Sequence, residues 1–403
     1  MTKDNGFHTI PEAISDIANG RMVIVVDDED RENEGDLVMA AHFVTPDAIN
    51  FMIKYGRGLV CVSVTEDIID QFKIEEMVKR SKDKLKTAFT VSVDAAPSHG
   101  VKTGISASDR AKTIQILMDP EATQDDLVTP GHVFPLKARK MGVLRRAGHT
   151  EASVDLARLA GLKPGGVICE IIKENGQMAR TKDLIVFAKK HDLKMISIKE
   201  LIKYRIKKER FIERVEKVKL PTKFGQFDLT LYRDIVNDKE HLAITKGNIS
   251  KEKNVLVRVH SECLTGDVFH SERCDCGEQL EAALKQISDH GTGALLYMRQ
   301  EGRGIGLVNK IKSYKLQEKG KDTVSANQAL GFGADLREYG IGAQILLDLG
   351  IKRLDLLTNN PRKVVGLEGY GIKIHCRVPL VIAPNEHNAA YLKTKSKKLG
   401  HIL

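Results

Sequence analysis

Residues 258–279 read R-V-H-S-E-C-L-T-G-D-V-F-H-S-E-R-C-D-C-G-E-Q. The apolar run V-L-V-R-V-H (255–260) leading into them has the make-up of a buried strand, and a helix is expected from about Glu278 to Asp289. Between the two, the thiols Cys263, Cys274 and Cys276 fall within fourteen residues, the last two flanking Asp275. They can converge on one tetrahedral cation, and soft thiolates select Zn²⁺. A structural zinc site closes with four protein ligands, whereas a catalytic one keeps a position for water. No fourth cysteine is near, Cys376 being far along the chain. A closed Cys₃His site through His260 or His270 is the competing reading. Arg258, His260, Glu262 and Arg273 crowd the thiols with charge that a structural knuckle does not need, which favours catalysis.

Further on, G-A-L-L-Y-M (293–298) reads as the next strand and E-G-R-G-I-G (301–306) as a turn off its end. Its glycines let a backbone approach phosphate, a weak signal alone. There is no Walker A sequence, because Gly320-Lys321 is followed by Asp322.

A chain of 403 residues is long enough for two domains, each with its own core. There is no Trp, so Leu, Ile, Val and Phe fill the interior. The N-terminus lacks the apolar run of a signal peptide, and no stretch approaches the ~20 apolar residues of a membrane span. A cytoplasmic protein with reduced cysteines is expected; Cys61 and Cys169 sit in strand-like runs and are expected in the core. A net charge of +9 suits phosphates, nucleotides or nucleic acid. A zinc-containing nucleic-acid-binding protein is therefore an alternative, but the chain has no regular Cys/His repeats and only 5% aromatic residues.

In the first half, M-V-I-V-V (22–26) is a short strand that delivers the chain into D-D-E-D-R-E-N-E-G-D (27–36), seven carboxylates in ten residues. Such runs are often solvated turns. Packed this closely, however, like charges repel unless a cation sits among them, and oxygen donors suit Mg²⁺. F-T-V-S-V-D-A (89–95) alternates as a strand, and K-T-G-I-S-A-S-D-R-A (102–111) turns through glycine into a helix. T-P-G-H-V-F-P-L (129–136) places His132 in a loop between two prolines. R-R-A-G-H-T-E-A (145–152) supplies arginines, a glycine turn, His149 and Thr150 ahead of a helix, a sensible phosphate site. Glu170, in the buried strand G-V-I-C-E-I (166–171), is either paired or functional. Taken singly, His132 reads equally as a turn histidine and Glu170 as an ion-pair partner. Residues 199–223 read as a surface or interdomain helix ending before Pro221, and K-T-K-S-K-K (393–398) as a solvated tail.

The 258–279 stretch resembles the zinc signature of GTP cyclohydrolase II. The likeness continues through E-G-R-G-I-G-L (301–307), D-T-V-S-A-N (322–327), D-L-R-E-Y-G-I-G-A-Q-I-L (335–346) and L-T-N-N-P-x-K (357–363). It implies Zn²⁺ on Cys263, Cys274 and Cys276. It also implies GTP contacts from Arg258, Val259, His260, Ser261, Glu262, Gln279, Glu301, Gly302, Arg303, Thr323, Thr358 and Lys363. Asp335 would be the proton acceptor, Arg337 a nucleophile toward the α-phosphate, with Tyr314 assisting. Arginine is a surprising nucleophile, since it stays protonated. Ser325 stands where the family often has Glu.

The first half resembles 3,4-dihydroxy-2-butanone 4-phosphate synthase through D-R-E-N-E-G-D-L, F-T-V-S-V-D-A, T-G-I-S-A, P-G-H-V-F-P-L, R-x-G-H-T-E-A and C-E-I. That family converts ribulose 5-phosphate to the butanone phosphate and formate with Mg²⁺ (or Mn²⁺). By motif, Glu32 and His149 would hold the metal. Arg31, Glu32, Asp36, Arg146, Ala147, Gly148, His149, Thr150 and Glu170 would bind the sugar phosphate, and His132 and Glu170 would be needed for turnover. Lys102 and Thr129 depart from the family's usual residues.

The expectation is thus an α+β or α/β protein of two catalytic domains, each a mixed sheet packed with helices, with a boundary at 205/206. It would supply two reactions of riboflavin biosynthesis, a lyase and a GTP-binding hydrolase, on ribulose 5-phosphate and GTP, with no nucleic acid or membrane partner. The families imply a homodimer. The same architecture with one half surviving as an inactive scaffold is the other alternative; the motif residues stand in both halves.

Overall fold

A computed structural model of the chain describes residues 6–28, 31–78, 87–319, 322–332, 340–360, 367–368, 370–389, 391–393 and 395. The chain divides into two compact units, Met1–Arg205 and Ile206–Leu403.

Uncharged runs such as V-I-V-V must be buried on both faces, and in the first unit they form one sheet. Its strands are β1 Val23–Val26, β2 Gly35–Ala40, β3 Cys61–Val64, β4 Val93–Ala95, β5 Leu127–Lys137, β6 Gly165–Glu170 and β7 Lys194–Ser197, in the order β4-β5-β3-β6-β2-β1-β7. β1–β7 and β3–β5 pair in parallel and the others antiparallel. Strand alternation splits the core in two. Ile24, Val26, Leu37 and Met39 pack with residues of the helices Pro46–Phe51, Ala107–Leu117 and Thr181–His191. Val23, Val25, Val38 and Cys61 pack with Ile10–Ala18, His149–Leu159 and the start of Ile198–Lys208. Cys169 joins the first cluster, so both strand cysteines are core thiols.

Two local expectations fail here. The 89–95 segment is a strand only over Val93–Ala95, with Phe89 and Thr90 making isolated bridges. The segment around His132, expected as a loop, is the middle of the eleven-residue strand β5. Its prolines are tolerated because the ladder asks neither nitrogen to donate. Opposite β4 the register jumps from Val93–Val133 to Asp94–Val128, bulging residues 129–132 out, and the Pro135 carbonyl accepts the Thr90 amide at 3.1 Å.

The second sheet contains β8 Ile212–Thr222, β9 Gly225–Asp234, β10 Lys239–Lys246, β11 Val255–Ser261, β12 Gly293–Met298, β13 Arg353–Leu357 and β14 Lys373–Val378, in the order β14-β13-β11-β12-β10-β9-β8. The β8-β9-β10-β12 half is antiparallel and the β12-β11-β13-β14 half parallel. Leu256, Leu295 and Leu357 pack against Ala283 and Ile287 of the helix Cys276–His290. Val259, on the other face of β11, lies with Met298 beside Gly342 of the helix Gly340–Asp348.

The helix expected over 199–223 ends at Lys208, and 212–222 is the edge strand β8. β-branched Ile212, Val215 and Val218 favour extended backbone, while charged neighbours and Pro221 are what an edge strand tolerates. Apart from these segments, the expected architecture of two domains, each a mixed sheet packed with helices, is the one observed.

One buried pair secures the helix that begins at His149. Asp155 accepts the Val143 amide and Arg205 Nη1, both at 2.8 Å. Burial pushes its carboxyl up to about 6, with Arg205 opposing. Replacing Arg205 with Ala is expected to cost about 3–5 kcal/mol, because a buried carboxylate loses its cation. Chemical denaturation of the full chain measures this, and an unchanged midpoint refutes it.

Candidate active sites

In the first unit the register of the sheet gathers the carboxylates. Asp36 on β2 stands opposite Glu170 on β6 and Val25 on β1. His132 lies two residues before Phe134, and Glu170 two after Ile168; both of those pair with Cys61, which puts His132 and Glu170 toward the same end of the sheet. Over that end sits the first turn of the helix His149–Leu159, whose N-cap Gly148 offers no side-chain cap. His149 and Thr150, expected ahead of the helix, are its first two residues. A Cβ at Gly148 would lie 2.4 Å from Arg146 Nη1, so a larger residue would force the guanidinium to shift.

The donor atoms of Asp27, Glu32 and His149 lie within 4.8 Å of one another. Arg31 Nη1 donates to Asp27 at 2.7 Å and also to Glu32, so a positive charge already stands between the two carboxylates. Asp27 also accepts the Glu32 and Glu34 amides. His149 Nε2 donates to the Val25 carbonyl at 3.1 Å, which leaves Nδ1, 3.9 Å from Asp36, with its lone pair. Burial holds His149 down at about 4, with Arg31 and Arg146 also lowering it against Asp27. Burial and then Glu170, Glu32, Glu34 and Asp27 push Asp36 well above the usual carboxylate range.

Glu170 accepts the Leu59 amide at 2.8 Å instead of joining an ion pair. Arg146 pairs with Glu151 at 2.6 Å and Thr87 at 2.7 Å, and Ala147 is exposed beside it. His132 Nδ1 donates to Asp94 at 2.7 Å, and the same carboxylate accepts the His132 amide at 2.9 Å. A Cβ on Gly104 would fall 1.9 Å from Asp94, so the glycine of T-G-I-S-A serves this contact.

In the second unit Arg258 and His260 project from β11 toward the Cys276–His290 side, into a solvent-open cleft with about 1070 Å³ of empty space. Ser261, Glu262, Gln279, Glu301, Gly302, Tyr314 and Thr358 line the same cleft. The side chain of Val259 points to the opposite face. Cys263, Cys274 and Cys276 bring their sulfurs within 4.8 Å of one another, Cys263 and Cys274 being 3.6 Å apart. A Cβ at Gly266 would lie 2.9 Å from the Cys274 sulfur, so the loop is cut to this cluster. Neither histidine joins it: His260 Nε2 donates to Asp267 at 3.1 Å, and His270 is exposed. Asp267 also accepts the Cys263 amide at 2.9 Å and the Tyr297 hydroxyl at 2.8 Å. Lys310 donates to the Cys263 sulfur at 3.2 Å and to Glu301 at 2.8 Å. Hydrogen bonds from Cys274 and Cys276, with Lys310, pull Cys263 down, and the bond to Cys263 pushes Cys274 up to about 11.

Of the tail expected to be solvated, Lys393 is exposed but Lys395 is not, and 394 and 396–398 lie outside the described residues. Lys395 is buried and donates to Asp275 at 2.6 Å. Asp275 accepts Gln279 at 2.6 Å, and Gln279 accepts Arg258, so a chain of bonds runs from the tail through the thiol loop to β11. Asp335, Arg337 and Lys363 lie outside the described residues; Arg303 falls in the turn Glu301–Gly304 and Thr323 opens the helix Thr323–Ala329. Asp322 caps that helix, its carboxylate accepting the Ser325 amide at 3.2 Å and the Ser325 hydroxyl at 2.7 Å.

Comparison with known proteins agrees with this geometry. Residues 11–204 match the 3,4-dihydroxy-2-butanone 4-phosphate synthase family model and 213–379 that of GTP cyclohydrolase II. The riboflavin biosynthesis protein RibBA of Aquifex aeolicus is 59% identical over 397 residues, 98% of each chain. The chain belongs to the RibBA family. RibBA of Bacillus mycoides is 58% identical over 98% of this chain and 99% of its own. A solved structure from A. baumannii, RibBX, described as a two-domain 3,4-dihydroxy-2-butanone 4-phosphate synthase, is 38% identical over 92% of this chain and 99% of its own, with a TM-score of 0.70. As a RibBA, the protein is a bifunctional enzyme of riboflavin biosynthesis, the main reading of the motifs and not the scaffold or nucleic-acid alternative. No helix among the described residues is long and apolar enough to cross a membrane.

Sequence reasoning missed Asp27, Asp94, Lys310 and Lys395 as members of these RibBA sites. Asp27 and Asp94 stood inside quoted motifs, but only register and the bulge aim them. Lys395 gave no signal, since a basic run is the usual mark of a solvated tail.

His149 yields a pH prediction for metal-stripped protein. Its folded value, about 4, lies below the ordinary 6.5, so the unfolded chain takes up the extra proton first as pH falls. The stability it contributes is present above 6.5 and lost as pH falls toward 4. Across that window His149→Gln should show a shallower loss of denaturation midpoint than the parent. Equal slopes would place His149 elsewhere.

Proposed function

We propose that residues 1–205 convert D-ribulose 5-phosphate to L-3,4-dihydroxy-2-butanone 4-phosphate and formate with Mg²⁺ or Mn²⁺. Residues 206–403 would hydrolyse GTP to 2,5-diamino-6-ribosylamino-4(3H)-pyrimidinone 5′-phosphate, formate and pyrophosphate with Zn²⁺. The observation that carries the metal assignment is the pair of donor clusters, Asp27–Glu32–His149 and Cys263–Cys274–Cys276. Oxygens with one neutral imidazole suit a hard, partly hydrated cation, whereas three sulfurs suit zinc and leave a fourth position open.

In the first domain Glu32 and His149 would hold the metal with Asp27 alongside, and the ion would polarise the ketose carbonyl. Arg31 is paired with both carboxylates here, and with a metal on them it would be free to meet the sugar phosphate. The uncapped first turn at Gly148–Thr150, with Arg146 braced beside it and Ala147 leaving room, suits that phosphate. Because His132 donates through Nδ1 to Asp94, its Nε2 keeps the lone pair on a half-exposed ring, as a base for enolisation requires. Glu170 and Asp36, facing one another, can pass protons during the rearrangement.

In the second domain the cleft offers Arg258, Lys310, Arg273 and Lys395 to a triphosphate. Tyr314, pushed up by burial, stays a proton donor and stands 3.0 Å from Thr265. Zinc on the three thiols would supply the Lewis acidity for opening the imidazole ring. Val259 would contribute through its main chain. The parts of Arg303, Thr323, Lys363, Asp335 and Arg337 rest on the family resemblance, as does a homodimer. The cytosol is the compartment in which the six free thiols stay reduced.

The two clusters should fail separately. Glu32→Ala and His149→Ala should abolish formate release from ribulose 5-phosphate and spare release from GTP. Cys274→Ser should lose zinc and do the reverse. Any variant that stops both reactions, or neither, contradicts the assignment.

Lys395 should act on the thiol loop through Asp275. Lys395→Ala is expected to weaken zinc retention and GTP turnover by roughly 10–100-fold, the usual cost of removing an outer partner of a metal site. Lys395→Arg should recover part of both. Normal zinc retention in the alanine variant would make the tail a bystander.

A further inference from the structure

Asp355, His375 and Cys376 form a third group of close donor atoms, again within 4.8 Å of one another, on the pair of strands β13 and β14. We propose that this group is a second soft-metal site, a surface Zn²⁺ site that clips the edge strand β14 onto β13. Successive residues of a regular strand point to opposite faces, so His375 and Cys376 should not share a partner. Here they do. The register passes from Leu354–Ile374 to Asp355–Cys376, leaving His375 as an extra residue, and an irregularity of this kind re-aims side chains. As a result His375 Nδ1 lies 2.8 Å and Cys376 Sγ 3.1 Å from the same oxygen, Asp355 Oδ1.

The arrangement is that of ligands and not of a nucleophile with its base. The thiol donates to the carboxylate, and the imidazole meets the carboxylate as well, so the histidine is not poised to deprotonate the cysteine. One sulfur, one nitrogen and one oxygen are donors that zinc accepts, with water as the fourth ligand. Around tetrahedral zinc, donors stand roughly 3.3–3.6 Å apart, so the observed spacings need to open by about half an ångström. These side chains can move that far, for His375 and Cys376 are exposed and Asp355 is partly so. Thiolate and imidazole disfavour Mg²⁺, which keeps this site distinct from the carboxylate cluster.

The strands it would join lead into the GTP cleft. Three residues beyond Asp355, Thr358 donates its amide to Val378 at 3.0 Å and accepts from Arg377 at 3.3 Å. A cation at Asp355 would fix β14 just ahead of that wall.

Cys376 is the one exposed cysteine of the six, so alkylation reports on it directly. Full-length enzyme with its thiol-cluster zinc in place would be treated with iodoacetamide, and the Cys376 peptide followed by mass spectrometry. Added Zn²⁺ should slow its labelling by about ten-fold or more, because a metal-bound thiolate is no longer a free nucleophile. Mg²⁺ should leave it unchanged, and His375→Ala and Asp355→Asn should each lose the protection. Zinc bound per chain should fall by one in Cys376→Ser, while the GTP reaction continues. An unchanged labelling rate with Zn²⁺, or protection that survives both substitutions, overturns the site; the second outcome would mean that the thiol binds zinc without its neighbours.

Discussion

Electrostatic repulsion among buried anionic donors is the constraint on which both halves turn. In the first domain Asp36 is pushed well above the usual carboxylate range, by its burial first and then by the charges of Glu170, Glu32, Glu34 and Asp27. Like charges held this close repel unless a cation stands among them. Arg31, between Asp27 and Glu32, meets part of the charge. The second domain presents the same problem in sulfur. Side by side, the thiols shift one another: hydrogen bonds from Cys274 and Cys276, with Lys310, pull Cys263 down, and the bonds to Cys263 push Cys274 and Cys276 up.

Rigid strands make the crowding possible. Asp36 and Glu170 are forced together because β2 and β6 pair antiparallel in one register, and a slip of a single residue would put the two side chains on opposite faces. In the second sheet the alternation of β11 sends Arg258 and His260 to the cleft and Val259 to the core. The loops add what strands cannot. Gly266, Gly148 and Gly104 each stand where a methyl group would strike the sulfur, the guanidinium or the carboxylate that the site needs. These glycines are therefore set by close approach, and their substitution would damage function before it damaged the core.

Much of this was legible in the chain because the chemistry comes in short runs. The acidic turn, the G-H-T-E stretch and the C-x₁₀-C-x-C spacing each bring their residues together locally, and the strands at 23–26, 255–260 and 293–298 follow from unbroken apolar runs. What stayed hidden depends on distant partners. His132 reads as a loop residue because two prolines flank it, yet a bulge takes Pro130 out of the β4 ladder and β5 runs on through Pro135 beside β3. Asp94 is one charge in an alternating run until that bulge carries His132 to it. Residues 212–222 look helical by the spacing of their apolar residues, and only pairing with β9 makes them a strand. Lys395 is the extreme case: a basic tail is solvated by default, and burying its ammonium is tolerable only because Asp275 waits inside the thiol loop.

Hard and soft donors would also let one chain hold two metals without mixing them. Carboxylates with a single imidazole discriminate poorly by affinity alone, and zinc would compete for them if it were free in excess. Three sulfurs bind zinc far more tightly, so the second domain would load first and leave Mg²⁺, the abundant ion, to the first. A site with one sulfur, one nitrogen and one oxygen falls between these extremes. Exposed at the edge of a sheet, Asp355, His375 and Cys376 would fill only when the three-thiol cluster is already satisfied, so the occupancy of β14 would follow surplus zinc and not the catalytic ion.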